Sequence, residues 1–422
     1  MANNTTALTR SFAIVSAFLI GAFAGVLGLT SCATEKPLIE NHQKRTTNPL
    51  LAKAKRPLER DLIETLEELR NRYRIPGLQV RVEKVDEPIF DVTLGVRALG
   101  HQEAVTPTDQ WHLASHTKVM TAVLVGQATE RTNLTWQSRV GQVFKNDIPE
   151  RIPLHASSRA ITVDQLLSHQ AGLMDQTKVL GGQLWAAIDR NDLPVSDLRL
   201  RLARGILASP LEFAPGTRTA YSNSAYIVLG HMAEVAFKTP WEDLVQKRIF
   251  APLGMKSCGF GPAGVSSLDT PTQPWGHRRN TTSGEIETIP PRAPGADNPK
   301  AFGPAGTVHC SAQDWTKFLR IFFEDGDSRA WRAKILRKET LDHLVASAGN
   351  GMTFMSMQKI DRRSWAKGPV YVMAGNNTMN YSLSAIAPKA SIAITINTNF
   401  GGREAEEGAQ EILKLLASRI DN

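Results

Sequence analysis

The sequence has no run of five or six like charges and no basic stripe interleaved with aromatic residues. Its formal net charge of +8 is spread over 422 residues, of which 21% are charged and 42% are hydrophobic. Nucleic-acid-binding proteins and proteins that bind anionic surfaces usually concentrate their cations. We therefore interpret the charge as a mildly basic surface and expect no nucleic-acid partner. The length allows two or three average domains or one large one.

The sequence also has few residue patterns that indicate a metal site or a disulfide. The chain has three cysteines. Cys258 and Cys310 could form a disulfide outside the cytoplasm, but sequence cannot set their geometry, and two reduced cysteines are at least as good an interpretation. His112 and His116 are four residues apart, a spacing that can bind zinc on a helix, yet no glutamate follows His112 and no third ligand has suitable spacing. We expect structural histidines, no metal ion and no cofactor.

A long uncharged apolar run occurs near the N-terminus, at Ser11–Leu29, directly after Arg10. A basic residue, an apolar stretch and a small-residue exit are typical of a secretory signal. The following Leu29-Thr30-Ser31-Cys32 resembles the bacterial lipobox, which implies a lipoprotein signal peptide over residues 1–32 and lipidation of Cys32. A transmembrane anchor is the alternative. Because Ala33 rather than aspartate follows the cysteine, we expect a lipid anchor on the periplasmic side, at the outer membrane.

Beyond this signal, the pattern predicts a flexible tether over residues 33–57 and then one mixed domain. Amphipathic helices are expected at both ends of that domain, and two early strands separated by Asp86-Glu87-Pro88 suggest an antiparallel hairpin. A mostly helical insert and a long, proline-rich surface excursion lie between them. The predicted elements are Leu58–Tyr73 (helix), Leu78–Val85 and Ile89–Val96 (hairpin), Met174–Ser209 (insert), Leu268–Ala301 (excursion), Gln313–Phe323 (helix), Ser391–Asn397 (strand) and Arg403–Ile420 (helix).

The stretch Trp111–Ala128 has a polar start followed by apolar residues with helical spacing, which predicts a helix buried in the middle of the domain. Ser115 and Lys118 lie three residues apart, so one helical turn brings the hydroxyl and the amine onto nearly the same face. A lysine whose pKa is lowered by burial can take the serine proton and create a nucleophile. The same spacing recurs at Ser356–Lys359 and Ser364–Lys367, so spacing alone does not identify the site.

Phe213–Gly230 contains a second group of polar residues. After a Pro-Gly turn, Tyr221-Ser222-Asn223 forms an irregular segment that leads into an apolar helix. A tyrosine hydroxyl beside a lysine can carry protons, and an asparagine amide can hold a substrate carbonyl or amide. A half-buried loop anchor is the alternative for Tyr221. His169, in the predicted helix Ile161–Leu173, is interpreted as bonding a helix end or loop rather than as a catalyst or metal ligand.

From about Leu58 to Ile420 the chain resembles the serine hydrolases of the class C β-lactamase, DD-peptidase and esterase superfamily. The resemblance rests on several motifs in the expected order: Ile75–Val80, Ala114–Lys118, Ile161–Leu173, Pro215–Asn223, Ala251–Met255 and Gly303–Trp315. It implies an α/β (α+β) fold of the β-lactamase/transpeptidase type over residues 58–420. In that fold an antiparallel sheet is flanked by terminal helices, a mainly helical subdomain is inserted, and the site lies at the junction.

The resemblance also implies roles for individual residues. Ser115 would be the nucleophile that forms an acyl-enzyme, and Lys118 and Tyr221 would share proton transfer. Asn223 would orient the substrate. The oxyanion would be held by the backbone N–H of Ser115 and by one from the strand near Gly375 and Asn376.

One motif departs from the family pattern. The family places a basic residue or histidine at the start of a triplet on the strand beside the nucleophile, whereas this chain has Met373-Ala374-Gly375. Methionine cannot attract a substrate carboxylate, which favours a neutral ester. The sequence therefore predicts an envelope serine hydrolase, esterase-like, on a small-molecule or peptidoglycan-derived ester or amide. A DD-peptidase, a weak β-lactamase or a catalytically decayed binding lipoprotein are the alternatives.

Overall fold

The computed structural model describes residues 57–85, 87–144, 153–189, 192–267, 269–349 and 351–421. The expected signal peptide, Cys32 and all of the expected tether except Pro57 lie outside the described residues. Within these ranges, no helix combines the length and the apolar character needed to cross a membrane.

The strands are β1 Gly77–Lys84, β2 Glu87–Gly95, β3 Gln110–His112, β4 Gly259–Phe260, β5 Gly276–Arg279, β6 Ile286–Ile289, β7 Val308–Ser311, β8 Ser347–Gly349, β9 Met352–Thr353, β10 Gln358–Arg363, β11 Gly368–Asn376, β12 Tyr381–Ala387 and β13 Ile392–Thr398. The α-helices are α1 Pro57–Arg72, α2 Thr117–Arg131, α3 Val140–Val143, α4 Val163–Leu167, α5 Gln183–Asp189, α6 Val195–Ala208, α7 Asn223–Phe237, α8 Trp241–Val245, α9 Ala251–Leu253, α10 Gly303–Gly306, α11 Ala312–Leu319, α12 Gly326–Ala333, α13 Lys338–Val345 and α14 Arg403–Asp421.

The main sheet has the strand order β2-β1-β13-β12-β11-β10-β9-β8, and its ladders are antiparallel. The N-terminal hairpin therefore pairs with the last strand of the chain, with Leu78 opposite Thr398 and Lys84 opposite Ile392. Strands β12 and β13 are buried along their whole length, because helices cover both of their faces. This arrangement confirms the predicted sheet of N- and C-terminal strands.

The terminal helices pack against each other and against the sheet. Ile63, Leu66 and Leu69 of α1 are buried, as the amphipathic pattern predicts. Helix α14 contacts α1, β12 and β13, and its Gly408 lies against the ring of Tyr73. The predicted terminal helices are thus confirmed, and both pack on the half of the sheet where the N- and C-terminal strands pair.

Helix α2 lies at the centre of the helical part of the domain. It is buried from Thr117 through Ala128 and contacts α7, α8, α10 and α13. Gly126 lets α13 approach closely, because a Cβ there would come within 2.9 Å of the Thr340 side chain. A helix that is apolar on all sides can be stable only when it is enclosed, so the predicted buried helix is confirmed.

A separate sheet has three strands in the order β3-β7-β4. Its strand β3 immediately precedes the turn that begins α2. His112 of β3 lies opposite His309 of β7, and Trp111 lies opposite Cys310. Cys310 forms a disulfide with Cys258, which immediately precedes β4. The structure therefore contains the disulfide that the sequence left open.

Two predicted elements are corrected. The excursion Leu268–Ala301 contains the paired strands β5 and β6, and the side chain of His277 anchors it by contacting the carbonyl oxygen of Asn399 at 2.7 Å. The helix expected over Ile161–Leu173 ends at Leu167, because His169 adopts a left-handed φ of 59° before Gly172 does the same at 70°.

Candidate active site

Ser115 lies where the chain leaves β3 and enters α2. A single 3-10 turn, Ala114–His116, connects the two elements. The neighbours Ala114 and His116 are buried, whereas Ser115 is only half-buried. The hydroxyl of Ser115 therefore lies at the N-terminal end of the buried helix α2, where the helix dipole favours developing negative charge.

Lys118 lies one turn further along, and its amine is directed back toward the serine. Its Nζ is 3.1 Å from Ser115 Oγ and donates a hydrogen bond to the carbonyl oxygen of Ala305 at 2.5 Å. The side chain is fully buried, and this burial lowers the pKa of Lys118 well below its usual value. This shift favours the neutral amine, whose lone pair can accept the serine proton.

Tyr221 approaches the same oxygen from the segment before α7. Its hydroxyl donates a hydrogen bond to Ser115 Oγ at 2.6 Å, and Lys118 Nζ lies 4.9 Å from the centre of its ring. Burial raises the pKa of Tyr221 above its usual value of 10.0, so the phenol keeps its proton at neutral pH. An amine and a phenol thus converge on one serine oxygen.

His169 supports the segment that contains Tyr221. Its Nδ1 accepts a hydrogen bond from the backbone N–H of Ser222 at 3.0 Å, its Nε2 bonds the hydroxyl of Ser356, and its ring lies 4.8 Å from that of Tyr221. Burial, together with the nearby Lys118, lowers the pKa of His169 to about 3, so the ring is neutral. The interpretation of His169 as a residue that bonds a loop is confirmed.

Asn223 is the first residue of α7, and Ser222 caps that helix by accepting a hydrogen bond from the N–H of Ala225. The Oδ1 atom of Asn223 is buried and has no hydrogen-bond partner in the described part of the chain. A buried acceptor without a partner is unfavourable unless a ligand or water satisfies it. This oxygen can therefore accept a hydrogen bond from a substrate N–H or hydroxyl.

Gly375 brings β11 against residues Leu113–His116, the segment with Ser115 that we call the nucleophile loop. A Cβ atom at this position would lie 2.2 Å from the carbonyl oxygen of Leu113 and 3.0 Å from the backbone nitrogen of Ser115. Only glycine fits such an approach. In the described ranges the N–H of Ser115 donates to no protein acceptor, so it is available to an oxyanion.

Asn376, the last residue of β11, can supply the second backbone donor. The N–H of Asn377 donates to the carbonyl oxygen of Asn380 across the turn to β12. Successive N–H groups alternate between the two edges of an antiparallel strand, so that of Asn376 points away from β12. The Asn376 side chain serves the turn instead, because Oδ1 accepts from the N–H of Thr378 at 2.6 Å and Nδ2 donates to Gly401 at 3.0 Å.

Met373 lies two residues before Gly375 and therefore on the same face of β11. It is 4% exposed and lies opposite Ser384 in the ladder. The side chain is packed as part of the apolar core, so this position brings no charge to the site.

The two histidines with zinc-like spacing have other partners. His112 Nε2 bonds Asp297 Oδ2 at 2.8 Å, and His116 Nδ1 donates to the carbonyl oxygen of Leu113 at 3.0 Å. Burial lowers the pKa of His116 to about 3. No cluster of three metal-ligating side chains occurs among the residues that the structure describes. Each of these two histidines thus bonds a protein group through a ring nitrogen.

The two other Ser-x-x-Lys copies lie elsewhere. Ser356 bonds His169, while the ammonium of Lys359 lies 3.8 Å from Asp361. Ser364 and Lys367 are exposed on a short turn at the start of β11. Of the three copies, the one at Ser115 is followed by a buried helix and faces a tyrosine.

The sequence did not indicate the carbonyl of Ala305. Its segment was recognised as a motif, but a main-chain oxygen has no signature of residue type. Asp297 and Asn377 were also missed, because each acts through a contact with His112 that bridges more than 180 residues.

Residues 62–418 match the β-lactamase family, and the chain therefore belongs to that family. Penicillin-binding protein 4 of Amycolatopsis lactamdurans is 26% identical over 353 residues, which cover 80% of this chain and 84% of that protein. Esterase EstB of Burkholderia gladioli is 33% identical over 172 residues, covering 39% of this chain and 42% of that protein.

Solved structures show the same fold. The penicillin-binding protein homologue from Pyrococcus abyssi superposes with a TM-score of 0.64 at 21% identity, covering 85% of this chain and 77% of that one. The D-amino acid amidase from Ochrobactrum anthropi gives a TM-score of 0.63 at 16% identity, covering 85% and 99%. The predicted β-lactamase/transpeptidase-like fold is confirmed, and the similar proteins with assigned activities include an esterase and an amidase.

Proposed function

We propose that the protein is a serine hydrolase that acts by acyl transfer through Ser115. One observation carries the proposal: Ser115 Oγ lies 3.1 Å from the amine of Lys118 and 2.6 Å from the hydroxyl of Tyr221. A serine hydroxyl needs a base that can take its proton, and its product needs an acid that can return one. The Lys118 amine, in its unprotonated form, and the protonated phenol of Tyr221 supply both.

In the acylation step, Ser115 Oγ attacks the carbonyl carbon of the substrate while its proton moves to Lys118 Nζ. The C–O or C–N bond of the leaving group then breaks, and the leaving atom takes the proton of Tyr221. The ammonium of Lys118 restores that proton, which returns both groups to their starting states. Water repeats the sequence on the acyl-enzyme, releasing the acid and free Ser115.

The negative charge that forms on the carbonyl oxygen is stabilised by the backbone N–H groups of Ser115 and Asn376. Gly375 allows this arrangement, because it places β11 directly beside the nucleophile. Preorganised donors of this kind contribute roughly 3 kcal/mol each to acyl transfer.

The substrate we favour is a neutral carboxylic ester or amide. Burial lowers the pKa of Lys118, which favours the neutral amine, and the uncharged Met373 occupies the strand position where the family has a basic residue. Neither group offers a fixed cation to a substrate carboxylate. The similarity to an esterase supports this choice over part of the chain.

A second candidate is a peptidase or weak β-lactamase, supported by the relative named penicillin-binding protein 4, whose similarity extends over 80% of this chain. Substrates of peptidases and β-lactamases of this type carry a carboxylate, whereas the substrate we favour is neutral. The two candidate functions therefore predict opposite preferences between anionic and neutral substrates. A catalytically decayed binding protein is the third, and Met373 is the feature that favours it.

For location, we propose the cell envelope, with a lipid on Cys32 as the anchor. The support is the lipobox-like Leu29–Cys32 after the apolar run. Metabolic labelling with a palmitate analogue and membrane fractionation test this, with Cys32→Ala as the control. Label that persists in this variant would contradict the assignment.

The function is tested by hydrolysis of p-nitrophenyl butyrate by the detergent-solubilised full chain, together with labelling by a fluorophosphonate probe. We expect turnover and labelling in the wild type, and background levels in Ser115→Ala. Ser364→Ala is the matched control, because it removes an exposed serine with the same spacing to a lysine and should leave both signals unchanged. Wild-type levels in Ser115→Ala would refute the assignment of the nucleophile.

A further inference from the structure

His112 lies between the two segments that supply the backbone donors for the oxyanion. Its Nδ1 is 3.1 Å from the backbone nitrogen of Ala114 and 3.3 Å from Nδ2 of Asn377. Ala114 directly precedes Ser115, and Asn377 directly follows Asn376. One ring nitrogen therefore contacts the neighbour of each donor residue.

The protonation of the ring follows from its partners. Nδ1 faces two N–H donors, so it must be the acceptor and Nε2 must carry the proton. Nε2 donates that proton to Asp297 Oδ2 at 2.8 Å. The side chains of His112 and Asp297 are 5% and 6% exposed, so water competes little for these bonds. Asp297 thus fixes the tautomer that leaves Nδ1 free to accept.

On the nucleophile side, this bond stabilises an unfavourable backbone conformation. Ala114 has a φ of 46°, in the left-handed region that residues other than glycine rarely occupy. Such a conformation is unfavourable and persists only where the surroundings enforce it. The bond from the Ala114 N–H to His112 fixes the orientation of this residue, and thereby the plane of the peptide that contains the Ser115 N–H.

On the strand side, Asn377 builds the turn that follows β11. Its Oδ1 accepts from the backbone N–H groups of Asn380 at 2.8 Å and Met379 at 3.2 Å. Its Nδ2 then ties this turn to His112. The side chain is 8% exposed, so the link is shielded from solvent.

We propose that His112 is a positioning residue that sets the distance and orientation of the two oxyanion donors through its Nδ1. The inference rests on the proposed acyl-transfer function. His112 touches no reacting atom itself. It acts through Ala114 on Ser115 and through Asn377 on Asn376, and Asp297 keeps its ring in the required tautomer.

Two substitutions separate the two ring nitrogens. In His112→Asn, the side-chain oxygen occupies nearly the position of Nδ1 and can still accept from Ala114 and Asn377. In His112→Gln, the amide nitrogen occupies nearly the position of Nε2 and can still donate to Asp297, but the acceptor toward Ala114 is lost. A purely structural link to Asp297 predicts the opposite order of damage.

The measurements are kcat and KM for p-nitrophenyl butyrate and the dissociation constant of phenylboronic acid, whose tetrahedral adduct with serine occupies the oxyanion site. For His112→Gln we expect kcat to fall and the dissociation constant to rise, each by roughly 10- to 100-fold, with KM within about threefold. For His112→Asn we expect values within about fivefold of the wild type. Equal effects of both variants, or a larger effect of His112→Asn, would overturn the proposal.

Boronate binding needs no turnover, which separates this inference from the proposed function. A wild type that binds the boronate through Ser115 but hydrolyses no ester would contradict the proposed reaction while leaving the order of the two variants decisive. If either variant fails to melt cooperatively, the pair Asp297→Asn and Asp297→Leu replaces them. Asn keeps an acceptor for Nε2–H and should retain boronate affinity, whereas Leu should lose it; equal affinity in this pair would also overturn the proposal.

Discussion

The carbonyl oxygen of Ala305 accepts a hydrogen bond from Lys118 Nζ at 2.5 Å, although the two residues are 187 positions apart in the chain. This bond directs one N–H of the amine away from the serine. In the unprotonated amine, the lone pair can then face Ser115 Oγ, which is 3.1 Å away. Helix α10 therefore orients the amine of Lys118 through a main-chain oxygen alone.

Burial of Lys118 predicts a specific dependence of stability on pH. Burial lowers the pKa of Lys118 in the folded state below the usual value of 10.5, which the unfolded chain keeps. Between the lowered pKa and 10.5 the unfolded state binds more protons than the folded state, so stability rises with pH. Relative to Lys118→Met, the free energy of unfolding of the wild type should therefore increase as the pH is raised from 7.5 to 9.5, with a limiting slope of about 1.4 kcal/mol per pH unit.

Urea denaturation of both proteins at pH 7.5, 8.5 and 9.5 measures this slope. The Met variant removes the titrating group but keeps a side chain of similar length. The variant also leaves the carbonyl of Ala305 without its hydrogen-bond donor. The resulting loss of stability is the same at every pH, so it does not alter the slope. Curves that run parallel over the window would mean that Lys118 is charged in the folded protein, and its role as the base would then fail.

Much of the site follows from local sequence, and the remainder does not. The distance between Ser115 and Lys118 is set by one helical turn, and the burial of α2 is evident from its apolar pattern. Tyr221 could be placed only by resemblance, because 106 residues separate it from the serine it contacts. The contact of His112 with Asp297 depends on the path of the excursion that contains Asp297. That segment has no periodic pattern near Asp297, so the contact could not be predicted from sequence.

The helix expected over Ile161–Leu173 shows a similar limit. Its periodicity favours continuation to Gly172, but the ring of His169 satisfies the N–H of Ser222 instead of extending the helix. Tertiary hydrogen bonding therefore decides where the helix ends. The pairing of β5 with β6 was missed for a related reason, since four-residue strands carry little alternation.

Gly375→Ala should reduce catalysis through a steric clash rather than through a strained backbone conformation. The added Cβ would lie 2.2 Å from the carbonyl oxygen of Leu113, so the nucleophile loop or β11 must move. A displacement of about 1 Å can reduce the rate by about 100-fold. We expect kcat for p-nitrophenyl butyrate to fall by at least that factor, with a lower melting temperature.

Gly368→Ala is the matched control on the same strand. A Cβ there meets the side chain of Lys389, which is flexible and can move away. This variant should keep its activity within about threefold, since the nearest atoms can relax. Similar losses in both variants would show that β11 tolerates no side chain at either glycine, and would remove the argument for close approach at Ser115.

Reduction of the Cys258–Cys310 disulfide should destabilise the domain. The bond closes a loop with a sequence separation of 52, which corresponds to roughly 4 kcal/mol in the chain-entropy treatment. Cys310 lies opposite Trp111, close to the start of the nucleophile loop. We expect Cys258→Ser/Cys310→Ser to melt at a clearly lower temperature, and dithiothreitol to lower the melting temperature of the wild type but not of this variant. Equal melting temperatures of wild type and double variant would contradict the contribution of this bond.

Met373→Lys should shift substrate preference toward carboxylates. Position 373 lies two residues before Gly375 and on the same face of β11, and Gly375 itself contacts the nucleophile loop. A lysine there can extend its amine toward the site, and one charge-assisted hydrogen bond contributes roughly 1.5–3 kcal/mol. We expect kcat/KM for the monoanionic p-nitrophenyl glutarate, divided by that for neutral p-nitrophenyl valerate, to rise by about 10-fold or more.

Met373→Leu is the control, because it keeps the position apolar and of similar volume. Its ratio of kcat/KM values should equal that of the wild type, even if both absolute rates change through packing. The ratio is insensitive to the fraction of folded enzyme, so a destabilised lysine variant still gives a clear result. An unchanged ratio in Met373→Lys would show that this position does not reach the substrate, and the preference for neutral esters would then lose its structural basis.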